Sequence, residues 1–241
     1  MINKGPMVAP SLFAADFYNL SRALTICESS KVDMIHYDVM DNHFVSNISF
    51  GPKVIGDIIA RTCLPADVHL MITLEKIDKL LPYTDIPVQH ITLHIESMKN
   101  SIPGFLEKVR QSGKTVGLSL RPGTDINEIK PYLDMIDLVL VMSVEPGYSG
   151  QTFKQETYER ISALKEMIGQ RPVTIQVDGG ITRKNYEKVL DSGACCLVIG
   201  NHFFEDGNTM EWVGRIKKRL ILKGTSNDCP PLRGQAPGAA R

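Results

Sequence analysis

Two histidines and two aspartates carry side chains that could share one ion. His36 and Asp38 stand two residues apart, His69 lies in the run Asp67-Val68-His69-Leu70-Met71, and Asp178 precedes Gly179-Gly180. Residues two apart on an extended strand face the same way, so His36 and Asp38 project together. Two imidazoles and two carboxylates form a borderline-soft N₂O₂ donor set. It suits one divalent ion, Zn²⁺ first, with Fe²⁺, Mn²⁺ and Co²⁺ as alternatives. A single buried histidine is more often a satisfied hydrogen-bonding group than a ligand, but four such groups on one working face favour a metal. Asp38 and Asp178 also suit proton transfer. Approaching a carbon from opposite faces, they could remove a proton from one side and return one to the other. A metal on the adjacent carbonyl and hydroxyl oxygens would stabilise the enediolate between the steps. The plainer reading makes both aspartates simple ligands, or Asp178 a turn cap, and the roles are compatible.

Positioning these groups falls to a recurring unit. β-prone runs at 7–10, 34–39, 67–72, 90–95, 115–120, 138–144, 174–177 and 196–199 alternate with amphipathic stretches such as 17–27, 102–112, 155–168, 185–191 and 210–222. Alternation of this kind favours a parallel sheet covered by helices. Eight units in a chain of 241 residues point to a single (β/α)₈ barrel, with its active site at the carboxyl ends of the strands. An open dinucleotide-binding sheet is the rival, but Ala9-Pro10-Ser11-Leu12 stands where its glycine-rich turn belongs. Along several strands a polar set alternates with an apolar one: Asp67 and His69; His90, Thr92 and His94; Gly117, Ser119 and Arg121; Thr174, Gln176 and Asp178. So many inward polar groups must bind one another, a metal, water or a substrate. His90 lies deeper and reads as structural, His94 as a rim residue, and Arg121 as either a ligand contact or an external ion pair.

Glycines gather after the late strands, in Pro146-Gly147-Tyr148-Ser149-Gly150-Gln151, in Gly179-Gly180 and at Gly200-Asn201. Loop amides beside helix starts bind phosphate, and barrels place that site after their last strands. Met40, Met71 and Met142 fall at inward strand ends, where thioethers would exclude water beside a bound ligand.

With 27 basic and 27 acidic side chains and a net charge of +0, the chain lacks the basic excess that nucleic acid or an anionic membrane would demand. No apolar run reaches the roughly 18 residues of a membrane span, and the first residues lack the apolar core of a signal peptide. The five cysteines, Cys27, Cys63, Cys195, Cys196 and Cys229, lack paired spacing and read as reduced thiols of a cytoplasmic protein. From residue 224 periodicity gives way to Gly, Pro, Ser and Ala. The expected division is a barrel over residues 1–223 and a flexible tail, outside the fold, over 224–241.

Five motifs in order resemble the ribulose-phosphate 3-epimerase family: Pro10-Ser11-Leu12-Phe13-Ala14-Ala15-Asp16-Phe17, His36-Tyr37-Asp38-Val39-Met40-Asp41, Asp67-Val68-His69-Leu70-Met71, Val144-Glu145-Pro146-Gly147-Tyr148-Ser149-Gly150-Gln151 and Val177-Asp178-Gly179-Gly180. The resemblance runs from about Val8 to about Phe204. It implies a metal-dependent isomerase of carbohydrate metabolism, an epimerase of the pentose phosphate pathway interconverting D-ribulose 5-phosphate and D-xylulose 5-phosphate. It also implies metal ligation by His36, Asp38, His69 and Asp178, with Asp38 and Asp178 as the acid/base pair. It carries substrate contacts onto Ser11, His69, Gly147, Tyr148, Ser149, Gly150, Gly179, Gly180 and Gly200, with 146–151 as a mobile cover; Met40, Met71 and Met142 from their strand ends, and Asn201 from its place beside Gly200, join them. The partner is a small ketose phosphate, with no nucleic acid or membrane, and a homo-oligomer is expected. Three positions depart from the family pattern: Ser46 replaces a proline, Ser149 replaces a glycine, and Asn201-His202 follows Gly200 where serine is usual. These departures bear on the phosphate pocket, so a six-carbon substrate such as D-allulose 6-phosphate is the alternative. A catalytically silent sugar-phosphate-binding barrel ranks lower, since binding alone needs no paired carboxylates. A decarboxylase or aldolase would need an inward lysine, which no strand supplies.

Overall fold

The structure, a computed structural model, describes residues 5–98, 101–205, 207–223, 229–230 and 232. Eight strands form one parallel sheet: β1 Met7–Pro10, β2 Ile35–Met40, β3 Ala66–Met71, β4 His90–His94, β5 Thr115–Leu120, β6 Leu138–Met142, β7 Thr174–Asp178 and β8 Cys196–Ile199. From β2 to β8 each strand pairs with the next in chain order, β1 pairs with β8, and an isolated bridge between Ser11 and His36 brings the end of β1 against β2. This is the expected (β/α)₈ barrel. Connecting segments supply helices α1 Leu20–Ser29, α2 Pro52–Ile59, α3 Leu81–Thr84, α4 Ile102–Gln111, α5 Thr157–Ile168, α6 Tyr186–Ser192, α7 Asn201–Glu205 and α8 Thr209–Lys223. No helix among the described residues is long and apolar enough to cross a membrane.

The period-two pattern explains which strand face meets the helices. Val8, Tyr37, Val68, Ile91, Val116, Val139, Val177 and Leu197 point outward into one continuous core, and none is exposed to solvent. The helices answer at three- and four-residue spacing with Phe105, Leu106 and Val109 from α4, Ile161, Leu164 and Ile168 from α5, and Trp212, Val213 and Ile216 from α8. Each such aliphatic side chain contributes about 1.5–3 kcal/mol on burial. Where β5 ends, Pro131 inside the next segment helps leave a 3₁₀ helix over Ile126–Tyr132, because proline lacks the amide donor of an α-helical turn.

Inside, the barrel is part polar and part apolar. Polar groups come from β2, β3, β4, β5 and β7, while Met7, Ala9, Met34, Leu138, Leu140, Met142, Cys196 and Val198 form an apolar cluster. That cluster includes Leu232, which is only 2% exposed. Beside it Cys229 is disulfide-bonded to Cys195, and Thr174 Oγ1 donates to Pro230 O at 3.2 Å. Two expectations are thereby corrected. Cys195 and Cys229 are bonded to each other rather than reduced, leaving Cys27, Cys63 and Cys196 free. The segment expected to lie outside the fold has a place in it at Cys229, Pro230 and Leu232, and its remaining residues fall outside those described. The physical reason is that the apolar cluster of β1, β6 and β8 gives Leu232 something to bury against, which local composition does not register.

A bridge spanning a sequence separation of 34 restricts the unfolded chain by about 3–4 kcal/mol in the chain-entropy account. Reduction, or Cys229→Ser, is therefore expected to lower the melting temperature by roughly 6–16 °C. Thermal melts with and without reductant, beside a thiol titration of the unfolded protein, check this. An unchanged melting temperature, or a full complement of free thiols, contradicts the bridge.

Candidate active site

Strand register brings the four predicted groups together. Asp38 on β2 stands opposite His69 on β3, and His36 opposite Asp67. Asp178 ends β7, which lies three steps from β2 around the ring through β8 and β1. One ligand atom each from His36, Asp38, His69 and Asp178 falls within 4.8 Å of all the others. His36 and His69 have no solvent exposure and Asp38 is 5% exposed. The Ser11 hydroxyl, just past β1, donates to Asp38 Oδ2 at 2.5 Å.

Behind each histidine stands a carboxylate that sequence reasoning did not assign. His36 Nδ1 is 2.8 Å from Asp67 Oδ2, and Asp67 Oδ2 also accepts from Gln176 Nε2 at 2.7 Å. A carboxylate accepts only, so His36 gives Nδ1–H to Asp67 and turns Nε2 inward. That nitrogen is buried without a hydrogen-bond partner, 3.2 Å from Asp38 Oδ1. His69 Nδ1 lies 3.0 Å from the same Asp38 oxygen and its Nε2 lies 3.0 Å from His94 Nε2. His94 Nδ1 in turn is 3.0 Å from Glu96 Oε2. Asp67 was legible only as an inward residue of β3; the signal was its two-residue spacing from His69.

Burial disfavours charge on every one of these groups, and neighbours decide the outcome. Burial pushes Asp38 up, but the charge of His36 and the nearness of both imidazoles outweigh it and hold Asp38 far below the usual carboxylate range. Burial and then the charge of Asp38 push Asp178 up to about 7, with His36 opposing. His36 is pushed down by burial, yet Asp38 and Asp67 raise it well above 6.5. His94 falls to about 4, chiefly by burial and against the pull of Glu96, so its imidazole is neutral at pH 7. Paired carboxylates with divergent affinities for a proton are what acid/base work requires: one is ready to accept and the other to donate.

A cavity of about 530 Å³ opens over the carboxyl ends of the strands, lined by Ser11, Asp38, Asp178 and the thioethers of Met40, Met71 and Met142. Gly147, Tyr148, Ser149 and Gly150 border it after β6, Gly179 and Gly180 after β7, and Gly200 and Asn201 after β8. His69 is not among the lining residues; it sits behind Asp38, with no solvent exposure. His94, expected at the rim, is fully buried behind His69. His90 is buried with its Nδ1 against Thr115 Oγ1, in keeping with a structural role. Among the described residues Arg121 neither borders the cavity nor forms an ion pair: its guanidinium lies 4.2 Å from the Phe44 ring centroid and donates to Phe44 O at 2.9 Å. Lys184 and His202 also line the cavity; no motif singled out Lys184, and His202 was noted only as a departure.

The 146–151 loop is tied across to the loop after β2. Asn47 Nδ2 donates to Gly147 O at 2.9 Å, and the Tyr148 hydroxyl donates to Ser46 O at 2.7 Å. Gly180 has φ +59°, and a Cβ there would sit 2.6 Å from Phe153 N. Only glycine lets that turn run so close beneath the 151–153 backbone.

Comparison with known proteins now decides the family. The model of the ribulose-phosphate 3-epimerase family matches residues 7–204. The chain belongs to that family. It is 34% identical to the ribulose-phosphate 3-epimerase of Mycobacterium leprae, over 89% of this chain and 95% of the relative. It is 36% identical to that of Aquifex aeolicus over 91% and 99%, and 36% identical to the chloroplastic ribulose-5-phosphate-3-epimerase of Arabidopsis thaliana over 88% and 76%. Among solved structures, the tryptophan synthase A-subunit of Pyrococcus furiosus superposes with a TM-score of 0.63, at 15% identity over 92% of this chain and 99% of that one. At that identity the likeness speaks for the barrel alone. For an epimerase-family centre, the donor set fits a divalent metal: His36 Nε2 is buried and unpartnered, and Asp38 Oδ1 faces an imidazole nitrogen on each of two strands.

Proposed function

We propose that the protein is a ribulose-phosphate 3-epimerase, converting D-ribulose 5-phosphate to D-xylulose 5-phosphate and back. One observation carries this reading. Asp38 and Asp178 reach a common cavity from strands three steps apart on the ring, and before an ion binds the first is held ionised while the second is raised to about 7. Asp38 would take the C3 proton from one face of the sugar while Asp178 delivers one to the opposite face, and the roles reverse for the return reaction. Ser11, hydrogen-bonded to Asp38, would orient that carboxylate. The three methionines would keep water from the carbon that carries negative charge between the two transfers.

His36, Asp38, His69 and Asp178 would hold one divalent ion, Zn²⁺ first, with Fe²⁺, Mn²⁺ or Co²⁺ as alternatives. Such an ion stabilises negative charge developing on the sugar oxygens next to C3. The phosphate would be held by loop amides at Gly179, Gly180 and Gly200, with Asn201, Ser149 and the 147–150 turn beside it. Lys184 supplies positive charge there, which matters because a net charge of +0 leaves attraction for the anion to local groups. Exposed Phe17, Tyr18 and Ile48 support a homo-oligomer.

The pentulose is the expected substrate because the relatives carry that name at similar lengths. Side-by-side assays of the metal-loaded enzyme with ribulose 5-phosphate and allulose 6-phosphate test it. The pentulose should be preferred by at least about tenfold in kcat/KM, roughly 1.4 kcal/mol in the transition state. A preference for the six-carbon sugar overturns the substrate assignment and leaves the two-carboxylate chemistry standing.

A further inference from the structure

We propose that Glu96 and His94 are positioning residues that set the tautomer of His69 and so aim its Nδ1 lone pair at the metal centre. This rests on the metal reading above and extends it to two residues outside the ligand set.

The direction of each proton follows from what Glu96 can and cannot do. Its Oε1 accepts from the Arg121 backbone N–H at 2.9 Å and from the Thr124 hydroxyl, and its Oε2 faces His94 Nδ1 at 3.0 Å. A carboxylate has no proton to give, so His94 must donate from Nδ1. The neutral ring then has a bare Nε2, which is 3.0 Å from His69 Nε2. Two lone pairs cannot face each other at that distance without a proton between them, so His69 carries its proton on Nε2. Its Nδ1 is then bare toward Asp38 Oδ1 at 3.0 Å, an arrangement that holds only with a cation between the two atoms, as in the metal-bound centre. His94 has no solvent exposure, so no bulk water rewrites the sequence of donors. His36 reaches the same end through Asp67 alone; His69 needs two residues because its carboxylate lies one imidazole further away.

Glu96→Gln distinguishes this relay from a merely structural contact. The amide oxygen stays with Arg121 N–H and the Thr124 hydroxyl, so the NH₂ turns to His94 and must donate to Nδ1. Every proton in the chain then reverses, and His69 Nδ1 carries hydrogen where it should ligate. Removing such an outer partner is expected to weaken metal binding by about 10–100-fold. His94→Phe should do the same, whereas His94→Gln, whose amide can donate to Glu96 and accept from His69, should recover much of the affinity. Thr124→Val removes a bond to Glu96 without changing any proton direction and should leave affinity within about twofold.

The experiment measures Zn²⁺ affinity of the folded full chain by competition with a chromophoric chelator, together with long-range ¹H–¹⁵N spectra of the histidine rings. The expected result is the affinity order above, with the His94 proton on Nδ1 in the wild type and on Nε2 in Glu96→Gln. Equal affinity in wild type and Glu96→Gln, or a wild-type His94 protonated at Nε2, overturns the relay. A wild type that binds no Zn²⁺ overturns the metal reading instead, while the His94 spectrum still reports on the relay.

Discussion

Asp38→Asn and Asp178→Asn should each lower kcat by about 10²–10⁴-fold, the range that general acid–base catalysis supplies, with the fold and the melting temperature preserved. The substitution keeps an oxygen that can face a metal and removes the ability to carry a proton through the cycle. The loss should therefore appear mainly in kcat, and Zn²⁺ content in the same samples separates failed proton transfer from failed ligation. Each variant keeps one working carboxylate. It should still exchange hydrogen with solvent at C3 of one epimer while producing little of the other. Near-normal turnover in either variant contradicts the division of labour inferred from a depressed Asp38 and an Asp178 raised to about 7.

Removing the metal should have an effect of similar size. Stabilising charge on the sugar oxygens is worth several kcal/mol, so chelated enzyme should lose on the order of 10³-fold in rate and regain it with Zn²⁺, Fe²⁺, Mn²⁺ or Co²⁺. The pH dependence has a definite sign. His36 and Asp178 are both raised by their surroundings, so below about pH 7 both hold protons that a metal must displace. Retention of the ion should weaken as pH falls through that point and strengthen above it. Stripping half-times in EDTA at pH 6 and pH 8, read by elemental analysis, check this. Full activity in demonstrably metal-free protein contradicts it.

The barrel was legible because alternation is local. Val8, Ala9 and Pro10, or Val116 to Leu120, declare a strand by their own order, and β1, β5 and β8 begin and end where the sequence places them. His36, Asp38, His69 and Asp178 were legible for a related reason: in a parallel barrel all carboxyl ends open on one side, so strand ends alone predict convergence. The supporting groups were not. Asp67 serves His36 only through the β2–β3 register, and Glu96 serves His69 only through His94, a pairing across strands that spacing along one strand cannot express. The same limit hid the Cys195–Cys229 bridge, because Cys229 and Leu232 reach the barrel from a stretch without periodicity. Lys184 went unnoticed because its neighbours, Thr182 and Arg183, form no pattern until β7 ends beside the cavity.

The central claim is that two carboxylates exchange the C3 hydrogen through opposite faces of a ketose 5-phosphate. Its most direct test is the reaction of D-ribulose 5-phosphate in D₂O with the metal-loaded enzyme, followed by ¹H NMR. D-xylulose 5-phosphate should form with deuterium at C3 in essentially every product molecule, since the incoming proton derives from a different side chain than the one that took the original. Product that retains the substrate hydrogen at C3, or no product at all, contradicts the account.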